Sequence, residues 1–325
     1  MGEGAGVRDN FTHERALSMY DLIIVGGGPA ALAAAFYAQS KRLDVLMVYA
    51  ELGGKTTSYQ MSSATGTRPV LPGNEMVDML ILRTTRQSAR IIHDQVAQIR
   101  HSDGAFTVET ASGILLHSRT VLVATGANPN RLDVPGVQHL VRHGLGYSLT
   151  TYAQQVVGCR VAVIGATSRS LRGSAEILDT VAHLYLITDQ PALPDNSFAA
   201  ALRRSPRVDV LLNTTVRDVV GFESAKTVVV ERDGTFQHLP VDRVFVDLGL
   251  RPNTAFLLDL PVLDADGFVL VDEVNSTSIA GLFAAGDVAA TPFGEQVLLA
   301  IGDGVRAAVS AYEYLLLERM HSVVE

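Results

Sequence analysis

The sequence predicts an α/β protein made of two domains that share one plan. Three observations carry this. "DLIIVGGGPAALAAAFYAQ" (21–39) runs from an apolar strand through a glycine turn into a helical pattern. "RVAVIGATSRSLRGSAEIL" (160–178) repeats that order. Each unit is then trailed by an antiparallel hairpin, the mark of two β-α-β domains rather than one continuous sheet.

The elements follow in chain order. The first strand covers Leu22 to Val25, its helix runs from about Pro29 to Ser40, and a second apolar strand covers Val45 to Tyr49. Residues 50–73 are rich in Gly, Ser and Thr and predict irregular chain. Residues 74–90 carry helical periodicity, and 105–126 read as a hairpin followed by a buried strand. In the second unit, residues 184–188 ("LYLIT") form a buried strand. Residues 227–249 form a hairpin around an Asp-Gly turn. The tail, 281–320, predicts a strand, a loop and a long helix.

The 325 residues suffice for two domains of ordinary size, and 47% hydrophobic with 18% charged residues is a globular composition. A net charge of −8 argues against nucleic acid or an anionic membrane surface as partner, since both require a basic patch. No apolar run reaches the roughly 18 residues of a membrane span. The first residues lack the apolar core of a secretory signal, so a cytoplasmic location is expected. Cys159 is the only cysteine, which excludes an intramolecular disulfide; just ahead of a strand, it is expected to pack as a small buried hydrophobe. No metal site is expected.

The two glycine turns differ in their chemistry. In the first, Gly26, Gly28 and Ala31 satisfy G-x-G-x-x-A. There glycines let backbone approach a pyrophosphate, and a helix N-terminus offers it free N–H groups. In the second, Gly165 is kept but Thr167 and Ser170 stand at the other two small positions.

"IIVGGGPAALAAAFYA", "LGGK", "VLVATGANPNRLDVPG", "LGLRPNTAFLL" and "GLFAAGDV" with "EQVLLAIGDGVRAAVSA" occur in the order found in two-domain FAD reductases. From Tyr20 to about Glu318 the chain resembles the low-molecular-weight thioredoxin reductases and the related ferredoxin–NADP reductases. The resemblance implies two Rossmann-like, three-layer ββα domains. Residues 1–19 would be an arm, 20–127 with 251–325 a discontinuous FAD-binding domain, and 128–250 an NAD(P)H-binding-like domain. It also implies an FAD site. Gly26 and Gly28 would let backbone approach the pyrophosphate, Pro29 and Ala30 are further contacts, and Ala31 is the third small position, where the helix packs closely on its strand. Tyr49 and Glu51 would lie near the adenosine ribose, Glu51 being otherwise a solvated loop carboxylate. Gly53 and Gly54 would let the chain pass under the ribityl chain, and Lys55 and Val96 are further contacts. Ala124, Thr125 and Gly126 would pack where the chain crosses domains. Gly286 and Asp287 would meet a ribityl hydroxyl, unless Asp287 serves only as a helix cap. Gln296 and Val297 would aim a positive helix end at the flavin pyrimidine. A homodimer is implied as well.

The chain departs from that family in three places. The C-x-x-C of thioredoxin reductases maps onto Ser148 and Thr151, neither of which can exchange disulfides, leaving Tyr147 and Ser148 as candidates to line the flavin pocket. In the second turn Thr167 crowds the pyrophosphate position, and Asp189 stands where arginines would hold a 2′-phosphate, with Arg169 and Arg172 as partial compensation. Residues 55–71 exceed the family's usual length, and Val70 replaces an asparagine near the flavin. The expectation is an FAD oxidoreductase that exchanges electrons with a ferredoxin-like carrier or a small substrate. The alternatives are a ferredoxin- or flavin-type NAD(P)H reductase, and an FAD-binding sensor without turnover.

Overall fold

In the computed structural model the chain enters its first sheet at β1 (Met19–Val25) and turns through glycines into α1 (Pro29–Ser40) and β2 (Val45–Tyr49). The structure describes residues 19–58, 73–86, 90–141, 143–149, 153, 155–257, 260, 262–291 and 294–324. Val70 and Thr151 lie outside the described residues, as do all but the last residue of the expected arm.

One helical turn, α2 (Lys55–Ser58), stands where composition predicts irregular chain. The Thr56 and Thr57 hydroxyls donate to the carbonyls of Gly53 and Gly54 at 2.6 and 2.9 Å, closing the turn with side chains rather than propensity. Then come α3 (Asn74–Arg86), β3 (Arg90–His93), β4 (Val96–Ser102), β5 (Ala105–Thr110) and β6 (Leu115–Val123). β7 (Ala127–Pro129) leads into α4 (Val137–Leu140), β8 (Leu145–Gly146), β9 (Arg160–Ile164), α5 (Ser168–Ile177) and β10 (His183–Ile187). The chain continues through α6 (Ser197–Arg204), β11 (Val208–Leu211), β12 (Thr215–Gly221), β13 (Ala225–Arg232), β14 (Thr235–Pro240) and β15 (Arg243–Val246). β16 (Leu250–Pro252) pairs with β7, and β17 (Leu282–Ala284) and α7 (Val297–Val324) close the chain. Two units result, one holding the described residues up to 128 and from 251 onward, the other 129–250.

In the first unit the sheet order is β3-β2-β1-β6-β5-β4, with β17 also paired to β6. β6 does two jobs that the sequence pattern divides between two strands. Its first half pairs antiparallel with β5, and Val121 to Val123 pair in parallel with β17. Burial follows this split, alternating at first and then continuous, as expected for a strand that passes from a half-exposed hairpin into a parallel sheet. Alternate residues of β1 serve opposite faces. Leu22 and Ile24 meet α1, α3 and α7, while Ile23 and Val25 meet Ile99, Phe106 and Val108 of the β4–β6 meander. This is a three-layer ββα arrangement.

The second unit repeats it. A parallel sheet, β11-β10-β9-β15-β8, carries α5 and α6 on one face and the antiparallel β12-β13-β14 on the other. Asp233 and Gly234, both at positive φ, make the tight turn between β13 and β14. Cys159 is only partly buried, its sulfur facing the carbonyls of Gln155 and Val157.

Candidate functional site

The first glycine turn lies at the carboxyl ends of β1, β2 and β6. Gly26 donates its N–H to the Val48 carbonyl (2.8 Å), and Ala124 donates to Val25 (2.8 Å). Gly26 has φ +128°, and a Cβ there would strike the Ala124 carbonyl. At Gly27 a Cβ would fall 2.5 Å from the Glu51 carbonyl oxygen and 3.0 Å from Tyr49 Cβ. Chain packing therefore requires glycine at both positions. Gly28 is different: a Cβ built there meets nothing within 4 Å. The fold leaves open space at this residue, which is the N-cap of α1 and has no side-chain cap; Pro29 follows it into the helix. Open space over an uncapped helix N-terminus fits an anionic group such as a pyrophosphate.

The segments around this opening are the ones the sequence singled out. Gly53 donates to the Gly27 carbonyl at 2.7 Å, and a Cβ on Gly54 would lie 3.2 Å from Gly28 Cα, so the Gly53–Gly54–Lys55 run sits against the turn. A Cβ on Gly286 would lie 3.1 Å from that of Ala30, and one on Gly304 would strike the Ala30 carbonyl, bringing α7 close to α1 above the buried Ala31. Asp287 sits in a short 3₁₀ turn. Its Oδ1 accepts the Glu295 N–H at 2.7 Å, and its Oδ2 lies 2.6 Å from Lys55 Nζ. Asp287 therefore tethers the start of α7, where Ala300 donates to the Gln296 carbonyl and Val297 Cγ1 would contact a side chain on Gly73. Asp303 adds a second carboxylate. Burial pushes its carboxyl up, against the Arg306 charge and the Gly286 N–H, with nearby Asp287 adding to the rise.

Thr125 and Asn253 clamp the other side of the turn. Thr125 Oγ1 donates to the Asn253 carbonyl (2.7 Å), Asn253 Nδ2 donates to Thr125 (2.9 Å), and Asn253 N–H donates to Gly126 (3.0 Å). The Tyr49 ring lies 5.3 Å from that of His93, tilted by 34°, and Glu51 is exposed. Val96 opens β4 with its half-buried side chain packed against the meander core.

In the second unit the same plan has another outcome. Gly165 (φ +115°) mirrors Gly26, since a Cβ there would strike the Asp247 carbonyl. Thr167 caps α5 itself, its hydroxyl accepting the Ser170 N–H at 3.0 Å. Arg169, read from sequence as a possible phosphate contact, is instead committed to a carboxylate. Its Nε and Nη2 form a fork on Asp247 at 2.7 and 2.6 Å, with side chains only 21% and 9% exposed. The fork joins the first turn of α5 to the end of β15. With Tyr147, Ser148 and Phe245 it lines a cavity of about 10 Å³, room for roughly one water. Burial raises the Tyr147 phenol above its usual range, opposed by the charge of Arg131. Asp189 is exposed and accepts from Gln190 Nε2. Asp247 escaped the sequence reading, although "VFVDLG" offers a signal: a carboxylate closing a buried strand demands a cation.

His139 and His143 have a metal-like spacing, but the His139 ring meets the Gly221 carbonyl at 3.0 Å. No group of three metal-binding side chains occurs among the described residues. No described helix is long and apolar enough to cross a membrane.

Two ββα units, one with an open glycine cradle, define a nucleotide-cofactor protein of the two-domain type. Residues 20–312 match the family model described as pyridine nucleotide-disulphide oxidoreductase, and the chain belongs to that family. It is thereby an oxidoreductase with FAD as its cofactor, and the opening at Gly28 fits that group. The F subunit of alkyl hydroperoxide reductase from Xanthomonas campestris pv. phaseoli is 30% identical over 308 residues, 93% of this chain and 58% of that one. The Escherichia coli K12 protein of the same name is 30% identical over 306 residues, covering 91% of this chain and 58% of its own. The chain thus spans less than two thirds of these relatives. The thioredoxin reductase of Streptococcus pyogenes MGAS5005 shares the fold at TM-score 0.79 and 24% identity, over 91% of this chain and 98% of that one. That of T. acidophilum aligns at TM-score 0.62 and 28% identity, over 91% and 99%.

Proposed function

We propose that this flavoprotein works without a redox disulfide and without NADPH, passing electrons between FAD and a carrier protein of ferredoxin type or a small substrate. The observation that carries the reading is the second turn, where Thr167 and the Arg169–Asp247 fork use the groups that would receive a dinucleotide. Ser148 at a cysteine position of the family, and Cys159 as the only thiol, support the absence of a disulfide relay.

On this reading 20–127 with 251–325 is the FAD-binding domain, and 128–250 keeps a nucleotide-domain architecture without its ligand. Bound FAD supplies reversible acceptance of electrons. The chain binds it through the backbone of Gly26 and Gly28, orients it through Gly53, Gly54 and Asp287, and places the N-terminus of α7 where negative charge is favoured. The protein is a homodimer, and a stable monomer at micromolar concentration in sedimentation would overturn that part.

Anaerobic titration of the yellow protein tests the main reading. Reduced ferredoxin or a small donor should bleach the flavin, while NADPH and NADH should not. Bleaching by either nucleotide in stoichiometric amounts would establish an NAD(P)H reductase instead. A flavin that no donor bleaches would point to a binding or sensing role.

A further inference from the structure

Lys55 is one of only three lysines in the chain, with Lys41 and Lys226. It does not extend into solvent: its ammonium lies 2.6 Å from Asp287, with side chains 29% and 12% exposed. Its backbone follows the Gly53–Gly54 run that rests on the open turn, so the ion pair stands beside the space left at Gly28. Two carboxylates converge here. Asp287 is held from its other oxygen by the Glu295 N–H, and Asp303 accepts the Gly286 N–H while pairing with Arg306 at 3.4 Å.

A dinucleotide brings a negatively charged pyrophosphate, and reduction adds negative charge. Unneutralised carboxylates beside it oppose both. Arg306 answers Asp303, and Lys55 is the cation within ion-pair distance of Asp287 among the described residues.

Resting on the FAD assignment, we propose that Lys55 is a positioning residue: by neutralising and orienting Asp287 it strengthens FAD binding and favours the reduced cofactor. Lys55 acts through Asp287, not by its own contact with the phosphates.

A double-mutant cycle tests this with Lys55→Met, Asp287→Asn and the pair, each reconstituted with FAD and checked by circular dichroism. Lys55→Met should weaken FAD binding about tenfold. It should also lower the midpoint potential, a tenfold loss of preference for the reduced cofactor being ~30 mV for a two-electron couple. Lys55→Arg should keep both near the parent values. In the Asp287→Asn background the Lys55→Met change should fall below about twofold. An effect of the same size in that background would place Lys55 on the phosphates and overturn the proposal. So would a folded Lys55→Met protein with unchanged affinity and potential. A parent protein that takes up no FAD would overturn the cofactor assignment itself, a result distinct from either.

Discussion

Arg169→Met tests the closed state of the second turn by removing the fork while keeping most of the stem's volume. The Asp247 side chain, 9% exposed, would lose charge-assisted bonds at 2.7 and 2.6 Å and keep the weaker N–H contact from Gly249 at 3.3 Å. Removing one partner of a buried pair costs about 3–5 kcal/mol. Arg169 is 21% exposed, so solvent screening favours the lower end, about 3 kcal/mol. For a unit of this size that is roughly a 10 °C fall in Tm. The double change Arg169→Met with Asp247→Leu should recover most of the loss, because an apolar pair of similar volume replaces a buried ion pair at little cost. Urea unfolding and calorimetry of the parent, single and double variants supply the numbers. NADPH titration of the same proteins asks whether opening the fork restores a site. It should not, because Asp189 still opposes a 2′-phosphate. Like charges about 4 Å apart cost about 1–4 kcal/mol, roughly five- to a thousand-fold in affinity. Only Thr167→Gly and Asp189→Arg added to the opened fork should bring NADPH affinity toward the micromolar range. A single variant within 0.5 kcal/mol of the parent, or micromolar NADPH binding by the parent, would refute the reasoning.

Three further outcomes are expected. Gly28→Asp should leave the FAD-free protein as stable as the parent, since a Cβ there meets nothing within 4 Å, yet the purified variant should be colourless; Gly26→Ala should lower Tm, its Cβ meeting the Ala124 carbonyl. Either result reversed in a melting curve counts against the assignment of the cradle. NADPH-driven reduction of thioredoxin should be absent, and flavin reduction by the working donor should be equal in Cys159→Ser; steady thioredoxin turnover would contradict this. Asp303→Asn should stabilise the protein at neutral pH. Burial raises the folded-state pKa of Asp303, so its ionisation destabilises the fold as pH climbs through the window above the usual carboxylate value. The gain from Asn should therefore shrink toward about pH 3, and a gain independent of pH would remove burial as its cause.

What could be read from the sequence follows the range of the forces involved. β1, α1 and β2 are legible because an apolar strand, a glycine turn and an alanine-rich helix are local patterns. β4 escapes such reading, since in "VAQIRHS" only Val96 and Ile99 join the apolar core. Its order comes from pairing with β5 across the meander. α2 forms through threonine hydroxyls on glycine carbonyls, a contact that composition does not report. The ion pairs Lys55–Asp287 and Arg169–Asp247 join residues far apart in the chain, so only the fold reveals which charges meet.

The two glycine turns together separate what the architecture needs from what a ligand needs. Gly26 and Gly165 occupy the same place in their units, each at positive φ, and each would drive a Cβ into the carbonyl of a neighbouring strand, at Ala124 and Asp247. Glycine is required there whether or not anything binds. Two residues on, there is no such demand: a side chain on Gly28 would meet nothing, and Thr167 in the second unit is accommodated and even caps its helix. A glycine that the fold does not require, over an uncapped helix N-terminus, implies a ligand that needs the space. A threonine in the same place, capping its own helix while Arg169 pairs with Asp247, fits a unit whose groups already satisfy one another. The proposed division, with FAD on the first turn and an architectural second unit, rests on this difference between Gly28 and Thr167.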